Sequence, residues 1–169
     1  MPKVSVIIVN YNGNGIISSC LKALEEQSFK DFETLVVDNG SLDGSLYEIK
    51  GFLKEPAIAP LLKIISLNKN LGFAGGNLEG LKQACGEYIG LLNNDTEADE
   101  RWLGELVVAM DNDPGVGICA SKLIVYGTDM IDSAGDCFST SLKGFKRGES
   151  GKTFLYDKKG SSPKRVGKF

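Results

Sequence analysis

Hydrophobic positions along this chain alternate between two spacings, and the alternation predicts an architecture. Lys3 to Val9 is a run rich in β-branched residues that stops at Asn10-Tyr11-Asn12-Gly13-Asn14, as a strand and its closing loop do. Ile16, Ile17, Cys20, Leu21 and Leu24 then recur at helical spacing, with Lys22, Glu25 and Glu26 on the opposite side. Thr34 to Val37 reads as a second strand, stopped by Asp38-Asn39-Gly40-Ser41. Ser45 and Glu48 read as a capping box ahead of Leu46, Ile49 and Leu53. Leu62 to Ser66 supplies a third strand, and Leu78, Leu81 and Cys85 mark the buried stripe of a helix closed by Gly86. Tyr88 to Leu92 is a short apolar run ending on Asn93-Asn94-Asp95-Thr96, expected as a strand buried on both faces. Asp99 can cap a helix carrying Trp102, Leu103, Leu106, Val107 and Met110, which Asp113-Pro114-Gly115 ends, and Val116 to Ala120 reads as one more strand. After Ala120 the pattern breaks into short apolar segments at 122–126, 130–134 and 137–139.

Strand and helix alternating in this way imply an α/β fold, a mostly parallel sheet with helices on both faces joined by right-handed crossovers. Ligands of such a sheet lie beyond the carboxyl ends of its strands. The polar stops at Asn10, at Asp38 and at Asn93 to Asp95 are therefore expected along one edge.

Charge adds a division that hydropathy does not show. Residues 1–142 carry ten Lys or Arg against twenty acids, whereas 143–169 carry nine against two. The first segment reads as the α/β domain and the second as a basic Gly/Ser-rich tail. Such a tail is a solvated segment or one drawn to an anionic surface, here a peripheral contact with lipid, and without interleaved aromatics it does not read as a nucleic-acid binder. No apolar run reaches membrane-spanning length and no leader precedes the first strand, so the cytoplasm is the expected location. Cys20, Cys85, Cys119 and Cys137 form no CxxC pair and the chain has no His, so they are expected as reduced core residues rather than zinc ligands.

Three loops carry candidate chemistry. Gly13-Asn-Gly15-Ile-Ile-Ser18 approaches a dinucleotide-binding fingerprint, but Ser18 stands where a third glycine or alanine lets the helix pack close to its strand. Asp38, beside the Gly40 turn, can accept the N3–H of a uracil or thymine ring. It is equally at home in an Asx turn within Asp-Asn-Gly-Ser. The glycine-rich run from Asn68 to Asn77 would leave N–H groups at a helix start open to an anion. Asn93-Asn94-Asp95 either meets a ligand or caps the next helix.

Together, Val4 to Asn12 (VSVIIVNYN), Val36 to Ser45 (VVDNGSLDGS), Asn70 to Gly80 (NLGFAGGNLEG) and Leu91 to Thr96 (LLNNDT) resemble, in order and spacing, the inverting nucleotide-sugar glycosyltransferases of family 2. The glycine-rich motif, Ser121-Lys122-Leu123 and Ile131-Asp132-Ser133-Ala134-Gly135 are similar to its rhamnosyltransferase-like branch. The resemblance spans about residues 3–150 and implies the N-terminal, donor-binding portion of a Rossmann-like GT-A fold, truncated on its C-terminal side. It implies that Val9, Asn10 and Tyr11 line a nucleoside pocket, that Asp38 reads the base, and that Phe73, Gly75 and Asn77 touch nucleotide or ribose. Asn93-Asn94-Asp95 stands at the family's DxD position, which implies Asp95 and Asn93 beside Mg²⁺ or Mn²⁺ and Asn94 beside the nucleotide. With Asn93 in place of the first acid, metal should bind weakly until diphosphate oxygens complete its shell.

The implied activity is inverting transfer of a sugar from a UDP- or dTDP-sugar to a glycan or lipid-linked acceptor in polysaccharide biosynthesis, in the cytoplasm at the inner face of the membrane. The family's catalytic base lies beyond Phe169, and Asp129, Asp132 and Asp136 show no sign of replacing it. These residues are therefore expected to bind donor yet transfer poorly. A nucleotide-binding module without transferase activity is the other reading.

Overall fold

β1 (Val4–Asn10) is central because both its neighbours are strands and six of its seven residues are buried. It is followed by α1 (Ile17–Glu25), β2 (Phe32–Asp38), α2 (Ser45–Phe52), β3 (Leu62–Ser66), α3 (Gly72–Leu81) and β4 (Tyr88–Asn93). The computed structural model describes residues 1–55, 61–138, 144–146 and 167–168, which fall into two compact units, Met1–Thr96 and Glu97–Phe169. In the first unit the four strands form a parallel sheet in the order β3-β2-β1-β4. Its register pairs Asn10 with Asp38, Val9 with Asn93 and Asp38 with Ser66.

Chain direction then fixes the layers. The path steps from β1 to β2 to β3 and returns past β1 to β4, so right-handed crossovers put α1 and α2 on one face and α3 on the other. The reversal lies between β1 and β4. Ile7, Leu35, Val37 and Ile65 make one core cluster, with Leu67 and Ala84 packed against it. Val6, Ile8 and Val36, at the alternate positions, are also fully buried.

α3 turns out inside out relative to its hydropathy. Leu78 is 58% and Leu81 47% exposed, and the buried residues are Gly76 and Gly80. The strands supply the side chains at this contact: a Cβ on residue 76 would lie 2.7 Å from Val9 Cγ1, and one on residue 80 would lie 2.5 Å from Ile7 Cγ2. The helix ends with Lys82 as its C-cap, so Gly86 does not close it. Gly86 instead lies on the β1 backbone, where a Cβ would come within 2.4 Å of Ser5 N.

β4 also departs from expectation. It is an edge strand of the four, with Leu92 buried but Ile89 and Leu91 exposed on the face they share with Ser5 and Ile7. Of the cysteines, Cys20 is buried while Cys85 and Cys119 are exposed. Cys137 lies in a strand of which only the backbone is described.

A buried carboxylate pins the amino ends of the strands. Glu33 accepts hydrogen bonds from Ser5 Oγ at 2.7 Å, Lys63 Nζ at 2.6 Å and Cys85 N at 3.0 Å, with the Cys85 thiol also at 3.0 Å. Gly86 N donates to Ser5 Oγ at 2.8 Å, so this cluster holds the turn that leads into β4. Burial pushes the Glu33 carboxyl up, but the hydrogen bonds from Lys63, Cys85 and Ser5 outweigh it and bring it down to about 2. The same contact with Glu33 raises the Cys85 thiol, which makes it a poor nucleophile.

The second unit contains β5 (Glu97–Ala98), α4 (Trp102–Asp111), β6 (Leu123–Ile124), β7 (Ile131–Ser133), β8 (Asp136–Phe138), β9 (Gly144–Lys146) and β10 (Gly167–Lys168). They pair antiparallel as β5 with β10, β6 with β7 and β8 with β9. Asp99 does not cap α4, whose N-cap is Arg101 without a side-chain bond; its Oδ1 accepts Arg101 N at 3.1 Å in the turn before the helix, and the Trp102 indole donates to Ser121 Oγ at 2.8 Å. Val116 to Ala120 is not a strand: it has no strand partner among the described residues, and Ile118 is 90% exposed. The boundary at 142/143 and all of the basic tail except β9 and β10 lie outside the described residues. No helix among the described residues is long and apolar enough to cross a membrane.

Candidate functional site

The carboxyl ends of β1, β2 and β4 come together at the point where the sheet order reverses, which is where open α/β sheets take ligands. Asn10 closes this point from below. It is fully buried, and its Nδ2 donates to Ser45 Oγ at 2.9 Å and Ser41 Oγ at 3.2 Å, with Asp38 Oδ1 at 3.4 Å. Its Oδ1 accepts from Asn94 Nδ2 at 3.0 Å. Asn10 thus lies beneath the crevice rather than on its wall. Burial leaves it no surface to offer a nucleoside.

Asp38 is 2% exposed and sits beside Asn10 in register. Its Oδ2 has no hydrogen-bond partner among the described residues. Its Oδ1 is the oxygen that faces Asn10 Nδ2. A carboxylate with one oxygen held by an amide and the other without a hydrogen bond among the described residues has acceptor capacity left for a ring N–H.

Asn39, at the next position, organises the third loop. Its Oδ1 accepts Leu71 N at 2.9 Å, and its Nδ2 donates to Asn70 Oδ1 at 2.9 Å and Gly72 O at 3.1 Å. Asn70 Oδ1 in turn takes Gly72 N at 2.7 Å. The N–H groups of Leu71 and Gly72 are therefore already satisfied. Gly40, at φ +79°, lets β2's loop approach so closely that a Cβ there would lie 2.9 Å from the Lys69 backbone.

The capping box expected of Ser45 and Glu48 does not form, because Gly44 is the N-cap, in a left-handed conformation. Both side chains are spent across the sheet instead. Ser45 serves Asn10, while Glu48 accepts Gly15 N at 2.9 Å and bonds Ser18 Oγ. Asp43 bridges the same loops, accepting Asn14 N at 2.8 Å and Ser45 N at 3.0 Å, and hydrogen bonds from Ser45 foremost hold its carboxyl below the usual range. The amino end of α1 is thus filled by Glu48. That is a second reason, after Ser18, why no dinucleotide phosphate belongs there.

The remaining expected residues ring the same edge. Tyr11 is 47% and Phe73 60% exposed. Val9 packs under Gly76, Gly75 rests against Leu71, and Asn77 Nδ2 donates to Phe73 O at 3.0 Å, within its own helix. Asn93 and Asp95 are exposed and Asn94 half-buried. No group of three or more His, Cys, Asp or Glu placed to hold a metal ion exists among the described residues. Asp95 offers one hard carboxylate with the Asn93 amide beside it in sequence, a donor set that fits a cation taking its other ligands from phosphate and water and not one caged by protein alone. Ser41, Asn39, Asp43 and Glu48 escape sequence reading as site residues because their partners are some 30 positions away.

Comparison with known proteins agrees with this geometry. The family model described as glycosyl transferase family 2 matches residues 5–158. A GalNAc(5)-diNAcBac-PP-undecaprenol beta-1,3-glucosyltransferase of Campylobacter jejuni is 31% identical over 57% of the chain and 31% of that protein. A cholesterol galactosyltransferase of Borreliella burgdorferi is 30% identical over 73% of the chain and 34% of its own length. The chain thus spans about a third of these relatives. Among solved structures, S. aureus TarS 1-349 in complex with UDP-GlcNAc superposes with a TM-score of 0.60 at 28% identity, over 73% of this chain and 34% of that one. The mannosyltransferase PcManGT of Pyrobaculum calidifontis, in complex with GDP-Man and Mn2+, gives 0.61 at 26% over 72% and 36%. With its parallel sheet built on the GT-A plan and most of its length matched, the chain belongs to glycosyl transferase family 2.

Proposed function

We propose that this chain carries the donor-binding part of an inverting glycosyltransferase that takes a UDP- or dTDP-sugar, and that Asp38 selects the base. The observation that supports it best is the buried Asp38, held through Oδ1 by Asn10 and with no hydrogen bond to Oδ2 among the described residues, at the reversal point of the sheet. Asp38 accepts the N3–H of uracil or thymine. Tyr11 and Phe73, exposed at the same edge, flank the nucleoside, and Asp95 with Asn93 holds a Mg²⁺ or Mn²⁺ ion against the diphosphate. Bound there, the cation would supply Lewis-acid stabilisation of the leaving diphosphate. Asn94 is held by Asn10 and keeps the Asp95 loop in place. The resemblance of the glycine-rich motif to the rhamnosyltransferase-like branch favours a rhamnosyl or other hexosyl donor, and a lipid-linked acceptor at the inner face of the membrane would suit the basic tail. Turnover needs a carboxylate to take the acceptor's proton, and no residue is assigned that role here.

Calorimetric titration with UDP, dTDP and GDP, with and without Mn²⁺, tests the reading. Asp38→Ala is expected to weaken uridine and thymidine nucleotides roughly 10- to 100-fold, the loss of a hydrogen bond to a charged acceptor worth ~1.5–3 kcal/mol. Asp95→Ala is expected to abolish the increment that metal adds while leaving metal-free binding as it is. Equal affinity of Asp38→Ala and the parent would sink the base assignment. A metal increment untouched by Asp95→Ala would sink the other.

A further inference from the structure

We propose that Asn10 is a positioning residue that sets both ends of the donor site at once, joining the base-reading Asp38 to the metal-side loop through Asn94. This rests on the proposed function, in which Asp38 reads the base and Asp95 holds the metal. The observation is the single buried amide at the reversal of the sheet: its Nδ2 faces Asp38 Oδ1, Ser41 and Ser45, and its Oδ1 holds Asn94 Nδ2. A carboxamide is the side chain of this size that donates at one end and accepts at the other, and both demands are made here. Being fully buried, it touches no ligand and acts through its neighbours.

Gly13 shows how little freedom the joint has. A Cβ at that position would lie 2.3 Å from Asn10 Oδ1 and 2.6 Å from Asn94 Nδ2, so a methyl group there cannot coexist with the amide-to-amide hydrogen bond. Gly13→Ala therefore displaces the Asn10 amide itself and disturbs both arms, as Asn10→Ala does, whereas Asn94→Ala removes the metal-side arm alone.

The test compares the parent, Asn10→Ala and Asn94→Ala by titration with uridine, which has no phosphate, and with UDP plus Mn²⁺, on protein shown to be folded. Asn10→Ala is expected to weaken both ligands about five- to tenfold, the scale of one net hydrogen bond. Asn94→Ala is expected to weaken UDP with Mn²⁺ by a similar factor while uridine binds as in the parent. A purely structural Asn10 would lower the melting temperature but leave the affinities of folded protein unchanged, and that result would overturn the proposal. So would an Asn94→Ala that loses uridine and UDP equally. Should Asn10→Ala fail to fold, the ratio of the two affinities in Asn94→Ala decides alone. If the parent binds no uridine nucleotide, the functional reading falls first and takes the proposal with it; if the parent binds and both variants match it, the proposal falls alone.

Discussion

Glu33→Ala is expected to lower stability by about 3 kcal/mol, at the low end of the ~3–5 kcal/mol that follows loss of one partner from a buried charge pair. The low end applies because Lys63 is 55% exposed and returns to water, so the cost falls on buried Ser5 Oγ, which loses its acceptor, and on Cys85 N, which keeps only Ser5 Oγ at 3.2 Å. The pH dependence carries the same signature. The Glu33 carboxyl goes from an ordinary 4.5 to about 2 on folding, so its contribution is fully present above 4.5 and is lost as pH falls through about 2. That shift corresponds to roughly 3 kcal/mol at 1.36 kcal/mol per unit. Urea denaturation of the parent and of Glu33→Gln at neutral pH and near pH 3 checks it: the parent should lose stability on acidification more steeply than the variant. Parallel acid limbs in the two proteins would count against the network.

Gly80→Val is expected to be as damaging by another route. A Cβ there meets Ile7 Cγ2 at 2.5 Å and Val37 Cγ2 at 3.2 Å, both on fully buried side chains with no room to withdraw. Overpacking of this kind costs ~1–3 kcal/mol even for small additions, and a β-branched side chain adds more atoms to the same clash. Gly51 in α2 is the internal control, since a Cβ there has nothing within 4 Å. Gly51→Ala should stabilise by up to ~1 kcal/mol on helix propensity alone. Thermal melts in which Gly80→Val and Gly51→Ala moved together would refute the close packing of α3.

Gly80 also marks where sequence reading succeeds and where it stops. β1, β2 and β3 were legible because buried parallel strands are continuous β-branched runs bounded by polar turns, and Leu62 to Ser66 is matched residue for residue. The three polar stops fall at one edge, as the alternation implies. α3 was legible as a helix but not in its orientation. Hydropathy assumes that a helix brings its own side chains to the core, whereas Gly76 and Gly80 leave that space to Val9 and Ile7. Glu48 and Ser45 have capping-box spacing, but the contacts they make depend on β1's loop being brought alongside, which no local window records. Val116 to Ala120 has strand composition without a neighbour, and a strand is defined by its partner as much as by its residues.

The amides at the carboxyl ends of the strands have a practical consequence. Asn10, Asn39, Asn70 and Asn94 fix the crevice through neutral groups that neither titrate nor are screened by salt, while the amino ends of the same strands are fastened by the charged Glu33 cluster. Acidity still reaches both ends of the sheet, through Glu33 at the amino ends and through Asp43 where it ties the β1 loop to α2 at the carboxyl ends. Phosphate and metal titrations are therefore comparable only at one pH, while the amides keep their share of the frame in any buffer.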